Sequence, residues 1–415
     1  MGEKNKKKQK KWCRPRHAIV RGILRVVLYP FVKFKYHAKI KKFKEGKGRQ
    51  FLVMYNHQTP FDQFFVGMGI PGVTYYLATE DIFSNGLVSS IVKFLVAPIP
   101  IKKQATDFKA VLTCKRVAEE GVSIALAPEG NRTYSGKTEY IKSSIVGFAK
   151  LLKLPIAIFK IEGGYGIQPR WSDCTRKGKM QAGVSRVIEY DDYKDMSNEE
   201  LAELISHELY VNDNNFEGAY KSNKRAEYLE RMVYVCPHHG LSTFKSKGNL
   251  LTCESCGLTV EYTENKTFKP VKCEGEFPFK TVNDWYEYQS EYISNLDLSQ
   301  YIDKPAFTDE TGLYEVKINK RKKLISKKAK LALYGDRIEC VWNNEKHVWN
   351  FKDIKALSAL GRNKANVYVL DESYHFFETV FQFKSSKSFN ALKYVNFYYA
   401  SKSEKGENNV KFLGL

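Results

Sequence analysis

Residues 51–62 read Phe-Leu-Val-Met-Tyr-Asn-His-Gln-Thr-Pro-Phe-Asp. The first five are apolar and predict a buried strand. His57 therefore comes just after a strand end, where open α/β sheets place their ligand crevices. Asp62 follows across a turn that contains Pro60, so its carboxylate can fold back onto the imidazole and raise its basicity. The two residues are a candidate general base, although a carboxylate at this spacing also arises by chance.

A second strand end strengthens this interpretation. Residues 123–127 form another short apolar run, and Pro-Glu-Gly-Asn-Arg follows directly as residues 128–132. A guanidinium held in a fixed loop can bind a phosphate through two parallel hydrogen bonds. Arg132 is therefore a candidate phosphate ligand, with Glu129 and Gly130 shaping the loop that carries it.

Together the two motifs resemble the signatures of the glycerolipid acyltransferases, typified by 1-acylglycerol-3-phosphate acyltransferase. Those signatures are Asn-His-x4-Asp and Pro-Glu-Gly-Thr-Arg. This chain has Asn-His-Gln-Thr-Pro-Phe-Asp and Pro-Glu-Gly-Asn-Arg in the same order, and the resemblance covers about residues 15–190. It implies an α/β fold in which helices cover a sheet.

The resemblance also implies a reaction. A fatty acyl group would move from a thioester, of coenzyme A or acyl carrier protein, to the hydroxyl of a lysophospholipid. The expected acceptor is 1-acyl-sn-glycerol-3-phosphate, which would become phosphatidic acid in phospholipid biosynthesis. His57 would act as general base and Asp62 would stabilise the imidazolium. No cofactor is expected to be needed for catalysis.

Family members carry a further basic residue in a motif that commonly reads Ile-Pro-Val-Asp-Arg. The matching stretch here, residues 99–103, reads Ile-Pro-Ile-Lys-Lys. Lys103 is thus the expected second substrate-binding cation. A lysine binds phosphate as a point charge and lacks the bidentate fork of arginine, so the departure puts the identity of the acceptor in doubt.

Apolar runs and helical patterns alternate over residues 50–190, which supports an α/β sheet. The predicted strands are 51–55, 73–78, 97–101, 123–127 and 155–161. The predicted helices between them are 61–68, 83–95, 107–120 and 141–153. A capping box at Ser197–Glu200 predicts a helix to Tyr210, and a further helix is expected at about 216–233.

Four metal-ligand side chains are spaced as in a zinc ribbon. Cys236 and His239 form one half, Cys253 and Cys256 form the other, and a glycine follows each second ligand. Adjacent His238 is the alternative to His239. A Cys3His set is closed, so we expect a structural zinc. The remaining cysteines are scattered, which indicates a reducing compartment.

The C-terminal part differs from the rest. Short alternating runs within residues 310–400 predict strands at 331–334, 337–342, 346–351, 366–370 and 379–383, followed by a helix at 388–399. This pattern resembles the pleckstrin-homology-like fold. The sequence thus predicts four regions. Residues 1–48 form a basic amphipathic segment and residues 49–215 an acyltransferase domain. Residues 216–300 contain a linker helix, the zinc ribbon and a following helix, and residues 301–415 form a mostly β, pleckstrin-homology-like domain.

Charge and hydropathy point to a membrane surface. The chain carries a net charge of +21, most of it in the first 49 residues. Apolar residues between Ile19 and Phe34 alternate with arginine and lysine, as in a helix that lies in the lipid interface. No uncharged apolar run is long enough to cross a bilayer. We therefore expect attachment to the cytoplasmic face of an anionic membrane, although the same helix could instead pack on the next domain.

Two other classes of function remain open. The chain could be a catalytically silent lipid-binding scaffold, but intact His57, Asp62, Glu129 and Arg132 argue against lost activity. It could also bind nucleic acid through the ribbon and the basic segment. The ribbon is close to neutral, so we expect no nucleic-acid partner.

Overall fold

The structure is a computed structural model that describes residues 11–79, 82–101, 107–316, 321–370, 378–385 and 388–403. Its first sheet has seven strands. They are β1 (Ala38–Ile40), β2 (Leu52–Tyr55), β3 (Thr74–Thr79), β4 (Ile99–Ile101), β5 (Ser123–Leu126), β6 (Ile156–Glu162) and β7 (Met180–Ile188). Their order in the sheet is β1-β7-β6-β2-β5-β3-β4. The five strands expected from apolar runs are confirmed within about two residues at each end.

The strands from β6 to β4 run parallel, with β2 between β6 and β5. Strand β7 is antiparallel to β6, and β1 pairs with it in parallel. The carboxyl ends of β2 and β5 therefore lie side by side at one edge of the sheet. These are the two ends that carry the motifs of residues 55–62 and 128–132.

Helices cover both faces of this sheet. They are α1 (Pro15–Tyr36), α2 (Asp62–Gly69), α3 (Leu87–Val96), α4 (Phe108–Glu119), α5 (Ser144–Leu152), α6 (Gly164–Ile167), α7 (Tyr190–Tyr193) and α8 (Asn198–Leu209). The predicted capping box of α8 is present, with Ser197 and Glu200 each bonding the other's backbone N–H. The predicted α/β architecture is thus confirmed.

Alternate residues of the central strands enter two separate cores, as the two-residue period of a strand requires. Leu52 and Met54 belong to one buried cluster, with α4, α5 and α8. Val53 and Tyr55 belong to the other, with α1 and α2. Because both faces of β2 are buried, the strand is continuously apolar, and its carboxyl end fixes the position of the residues that follow.

The helix predicted at about 216–233 is wrong. Only a single turn of 3-10 helix forms there, at Leu229–Arg231. Two backbone positions explain the difference, since Gly218 has a φ of +152° and Tyr228 a φ of +73°, and neither is helical. The segment is irregular chain held by its buried side chains, among them Tyr220 and Ala226.

The ribbon follows as a strand pair and a four-stranded antiparallel sheet. The pair is β8 (Val235–Cys236) and β9 (Gly240–Leu241), and the sheet is β10 (Phe244–Lys247), β11 (Leu250–Cys253), β12 (Thr259–Tyr262) and β13 (Phe268–Lys272). The next element is α9 (Val282–Ser294), which begins at a capping box formed by Thr281 and Asp284.

The C-terminal part is mostly β, as expected. Its strands are β14 (Phe307–Val316), β15 (Lys323–Leu333), β16 (Arg337–Trp342), β17 (Glu345–Asn350), β18 (Ile354–Leu360), β19 (Lys364–Leu370) and β20 (Glu378–Lys384), followed by α10 (Ala391–Ser403). They form one antiparallel sheet in the order β17-β16-β15-β14-β20-β19-β18. Helix α10 packs on β18 and β19.

One continuous core joins the ribbon, α9 and the C-terminal sheet. It includes Trp285 of α9 and Leu357 of β18, and it extends to Tyr134, Tyr165 and Trp171 of the first region. The C-terminal sheet is therefore packed against the part of the chain that carries the two motifs.

Helix α1 has a mostly exposed apolar side. Among the described residues, no helix is both long enough and apolar enough to span a bilayer. Val26 is 75% exposed and Phe34 is 78% exposed, while Val32 and Tyr36 on the other side are buried. The helix thus packs one face on the sheet domain and leaves apolar side chains of another face exposed.

Candidate active site

His57 and Asp62 meet where the sequence predicts. His57 follows the carboxyl end of β2, and its Nδ1 lies 2.7 Å from Oδ2 of Asp62, the first residue of α2. The Asp62 side chain is fully buried, whereas that of His57 is 24% exposed. With Nδ1 committed to the carboxylate, Nε2 is the nitrogen that can exchange a proton with a bound molecule.

The carboxylate of Asp62 is held by several donors. It accepts the backbone N–H of Gln58 at 2.7 Å, the N–H of Thr59 at 3.0 Å and the hydroxyl of Thr59 at 2.7 Å. These bonds fix the direction of the carboxylate toward the imidazole. The turn at 58–61 thus makes Asp62 a rigid orienting group.

Burial lowers the pKa of His57, and the hydrogen bond and negative charge of Asp62 oppose that shift. The positive charges of Arg132 and Arg170 lower the pKa further. The imidazole is therefore neutral at neutral pH, which is the form that a general base needs.

Asn56 and Glu129 fix the loops that carry His57. The side chain of Asn56 donates to the carbonyl of Ile161 at 2.8 Å and accepts its N–H at 2.7 Å, which ties the end of β2 to β6. The buried carboxylate of Glu129 accepts the N–H of His57 at 2.7 Å and that of Glu139 at 2.8 Å. Glu129 therefore positions the His57 backbone, a role that its place in the sequence does not reveal.

Gly130 turns the loop toward Arg132. Its φ is +68°, in the region that glycine adopts without strain, and its N–H bonds the carbonyl of Ala127 at 3.0 Å. A further hydrogen bond joins the two motifs, since Thr133 donates its N–H to the carbonyl of His57 at 3.0 Å. The two predicted motifs thus form one site.

Arg132 is a buried cation with spare hydrogen-bonding capacity. The residue is 9% exposed, and its Nη1 has no acceptor within the described part of the chain. Burial lowers its pKa to about 9, and the charges of Arg170 and Arg362 contribute to that shift. The guanidinium is still charged at neutral pH, and an anionic group would satisfy its donors.

Arg170 contacts the loop of Arg132 and was not predicted from the sequence. Its Nη1 donates to the carbonyl of Arg132 at 2.8 Å, and its guanidinium lies 3.9 Å from the ring centre of Tyr134. It follows Pro169 in an irregular stretch without any periodic signal. Lys103, the expected second cation, lies outside the described residues.

The ribbon places its four expected ligands together. The ligand atoms of Cys236, His239, Cys253 and Cys256 all lie within 4.8 Å of one another. The sulfurs of Cys236 and Cys256 are 3.8 Å apart, and Nε2 of His239 is 3.7 Å from the sulfur of Cys253. Tetrahedral zinc with bonds of about 2.3 Å to sulfur and 2.0 Å to nitrogen requires separations of about 3.5–3.8 Å. The four residues therefore fit a zinc ion.

The alternative ligand, His238, lies between Cys256 of the cluster and Cys273 outside it. Its Nδ1 is 4.0 Å from the sulfur of Cys256, and its Nε2 is 3.7 Å from the sulfur of Cys273. The glycines after the second ligands take left-handed conformations, with φ of +78° at Gly240 and +75° at Gly257. These turns direct His239 and Cys256 toward the other two ligands.

Part of this chain matches the model of a known protein family. The family model described as Acyltransferase matches residues 33–161. No curated protein matches the chain. The solved structures similar to it include the 1-acyl-sn-glycerophosphate acyltransferase PlsC from Thermotoga maritima, 19% identical over 46% of this chain and 76% of that one, with a TM-score of 0.39. The Vps36 N-terminal PH domain is 20% identical over 25% of this chain and 83% of that one, with a TM-score of 0.20.

The match to the family model spans both motifs and supports acyltransferase activity. It contains His57, Asp62, Glu129, Gly130 and Arg132. The resemblance inferred from the motifs is thereby confirmed over residues 33–161, which match the Acyltransferase family model.

Proposed function

We propose that the protein transfers a fatty acyl group from a thioester of coenzyme A or acyl carrier protein to the free hydroxyl of 1-acyl-sn-glycerol-3-phosphate. The product would be phosphatidic acid. The observation that carries the proposal is the neutral His57 imidazole, oriented by Asp62 and joined by hydrogen-bonded loops to Arg132.

In this mechanism Nε2 of His57 removes the proton of the acceptor hydroxyl as its oxygen attacks the thioester carbonyl. Asp62 stabilises the imidazolium that forms. The tetrahedral intermediate then collapses, the carbon–sulfur bond breaks, and the thiolate takes the proton from Nε2. The products are an ester and a free thiol, and His57 returns to its starting state. Residues 57 and 62 are the catalytic pair.

Arg132 binds the acceptor's phosphate in this proposal. A buried guanidinium with a free donor gains most from a dianionic group, because the charge-assisted bonds replace its missing partners. Glu129 and Gly130 contribute by holding the loop in place, and Lys103 remains the proposed second cation of the site.

The metal in this proposal is a structural zinc bound by Cys236, His239, Cys253 and Cys256. Three thiolates and an imidazole fill the tetrahedral positions, so the ion would stabilise the fold of the ribbon and supply no step of the reaction.

The site of action in this proposal is an anionic membrane surface on the cytoplasmic side. The support is the exposed apolar side of α1, which lies beside that of α3, where Leu87 is 77% exposed and Phe94 is 58% exposed. Arg16 joins the two helices by donating to the carbonyl of Phe94 at 2.9 Å. Apolar side chains flanked by basic ones suit the interface where a lysophospholipid resides.

The test is acyl transfer by the purified protein from a labelled acyl thioester to a panel of lysophospholipids. We expect label in phosphatidic acid, and none with His57→Ala. A preparation that carries the expected zinc, folds normally and acylates no member of the panel would contradict the proposal and favour a lipid-binding scaffold.

A further inference from the structure

The turn between β18 and β19 reaches the catalytic region. Nε of Arg170 donates to the carbonyl of Gly361 at 2.8 Å, and its Nη2 donates to that of Ala359 at 2.9 Å. The third nitrogen of the same guanidinium bonds the carbonyl of Arg132. One buried side chain therefore joins the phosphate-binding loop to a turn of the C-terminal domain.

Arg362 is the next residue of that turn. Its Nη1 is 2.6 Å from Oδ1 of Asp173, whose other oxygen lies 2.8 Å from Nη2 of the buried Arg231. The Arg362 side chain is 28% exposed. Its other two nitrogens have no acceptor among the residues that the structure describes. Asp173 thus orients the guanidinium and leaves several of its donors available.

The charge of Arg362 acts on the catalytic region. Burial is the main cause of the lowered pKa of Lys35 and of Arg132, and the charge of Arg362 lowers both further. The same charge opposes the effect of burial on the pKa of Tyr36, which rises. Arg362 follows Gly361, whose carbonyl shares the Arg170 guanidinium with the carbonyl of Arg132, so Arg362 and Arg132 lie on neighbouring segments. Arg132 and Arg362 repel each other there, and a shared anion would relieve the repulsion.

We propose that Arg362 is a substrate-binding residue whose guanidinium binds the same acceptor phosphate as Arg132. The inference rests on the proposed function and deepens it, because it makes the C-terminal domain part of the acceptor site. A site with two guanidinium groups favours a terminal phosphate with two negative charges over an uncharged or singly charged headgroup.

The experiment compares the full-length protein with Arg362→Ala, Arg362→Lys and Arg337→Ala. Arg337 is the matched control, since it is an arginine of the same domain, ion-paired with Asp336, on β16 near the opposite edge of the sheet. Each variant is assayed with 1-acylglycerol 3-phosphate and with the 1-acylglycerol of the same chain length, which lacks the phosphate. The thioester is the same in every assay.

We expect Arg362→Ala to raise KM for the phosphorylated acceptor about tenfold. The effect is of this size because the variant loses one charge-assisted contact at a partly exposed site. The value of kcat and the kinetics of the unphosphorylated acceptor should stay unchanged. Arg362→Lys should recover part of the loss, and Arg337→Ala should behave as wild type. An unchanged KM, an equal loss with both acceptors, or a rise in kcat would overturn the proposal.

A binding measurement separates this inference from the proposed function. Short-chain 1-acylglycerol 3-phosphate is titrated into His57→Ala and into His57→Ala/Arg362→Ala, and the dissociation constant and thermal midpoint are measured. We expect about tenfold weaker binding in the double variant, with equal midpoints in the absence of ligand. If wild type acylates neither acceptor, the proposed function fails while this comparison still tests Arg362. Equal affinities would refute its role.

Discussion

The residue that should matter most for the reaction is His57. Replacing it with alanine removes the proton acceptor that Asp62 orients, so we expect kcat to fall by about 10²–10⁴-fold. Binding of the acceptor should persist, because the bonds of His57 to Glu129 and Thr133 that hold the loops use its backbone and not its imidazole. Turnover and acceptor affinity are the measurements, and turnover close to that of wild type would refute the general-base role.

The pH profile tests the charge state of His57. Its pKa lies below the ordinary value of about 6.5, because burial disfavours the imidazolium. Only the neutral form accepts a proton, so kcat/KM should be high at neutral pH and fall as the pH drops through this lowered pKa. A midpoint above 7 in the free enzyme would show that the Asp62 interaction outweighs burial.

Arg132 should affect the acceptor far more than the donor. Arg132→Ala removes the buried guanidinium, and we expect KM for 1-acylglycerol 3-phosphate to rise by about 10–100-fold with little change for the thioester. Steady-state kinetics with each substrate varied in turn provide the measurement. A change confined to the thioester would move Arg132 to the donor side of the site.

At the scale of elements, we expect the fold of the ribbon to depend on a bound zinc ion. Purified protein should contain one zinc per chain, and Cys253→Ser should lose it, because a tetrahedral set with a missing thiolate binds far more weakly. Metal analysis and limited proteolysis near residues 234–262 are the measurements. Cys174→Ser, which replaces a cysteine outside the cluster, is the control. Full zinc occupancy in Cys253→Ser would contradict the assignment.

The elements of the catalytic sheet could be predicted because their signals are local. A strand buried on both faces is a continuous apolar run, and β2 and the first four residues of β6 show this directly. Strand β7 escaped prediction because it pairs on one side with the short β1 and exposes several polar side chains. The helix expected at 216–233 failed because backbone turns at Gly218 and Tyr228 outweigh an apolar spacing.

The residues of the candidate site also differ in how far they could be predicted from the sequence. His57 with Asp62, and Glu129 with Arg132, lie within short motifs, so their chemistry can be read from spacing. Arg170 and Arg362 are brought to the site by contacts between residues far apart in the chain. No local sequence pattern predicts such contacts. The bridging role of Glu129 is likewise visible only once two strands are paired.

At the scale of the whole molecule, the apolar side of α1 should hold the protein on a membrane. Changing both Ile23 and Val26 to glutamate places charges on that side, and we expect sedimentation with anionic vesicles to fall at least tenfold. Val348→Glu, at an exposed position of β17, is the control and should sediment as wild type. Equal sedimentation of all three proteins would assign membrane binding to another surface.

The bonds of Arg170 to Ala359 and Gly361 have a consequence for the order in which the protein is made. When synthesis has passed β7, the nascent chain already contains His57, Asp62, Arg132 and Arg170. The carbonyls of Ala359 and Gly361, which accept from two nitrogens of Arg170, have not yet been translated. Until they arrive, a cation that is buried in the finished protein must remain hydrated or find temporary partners. The set of bonds that fixes Arg170, and with it the carbonyl of Arg132, is therefore complete only after β18 and the turn that follows it have been synthesised.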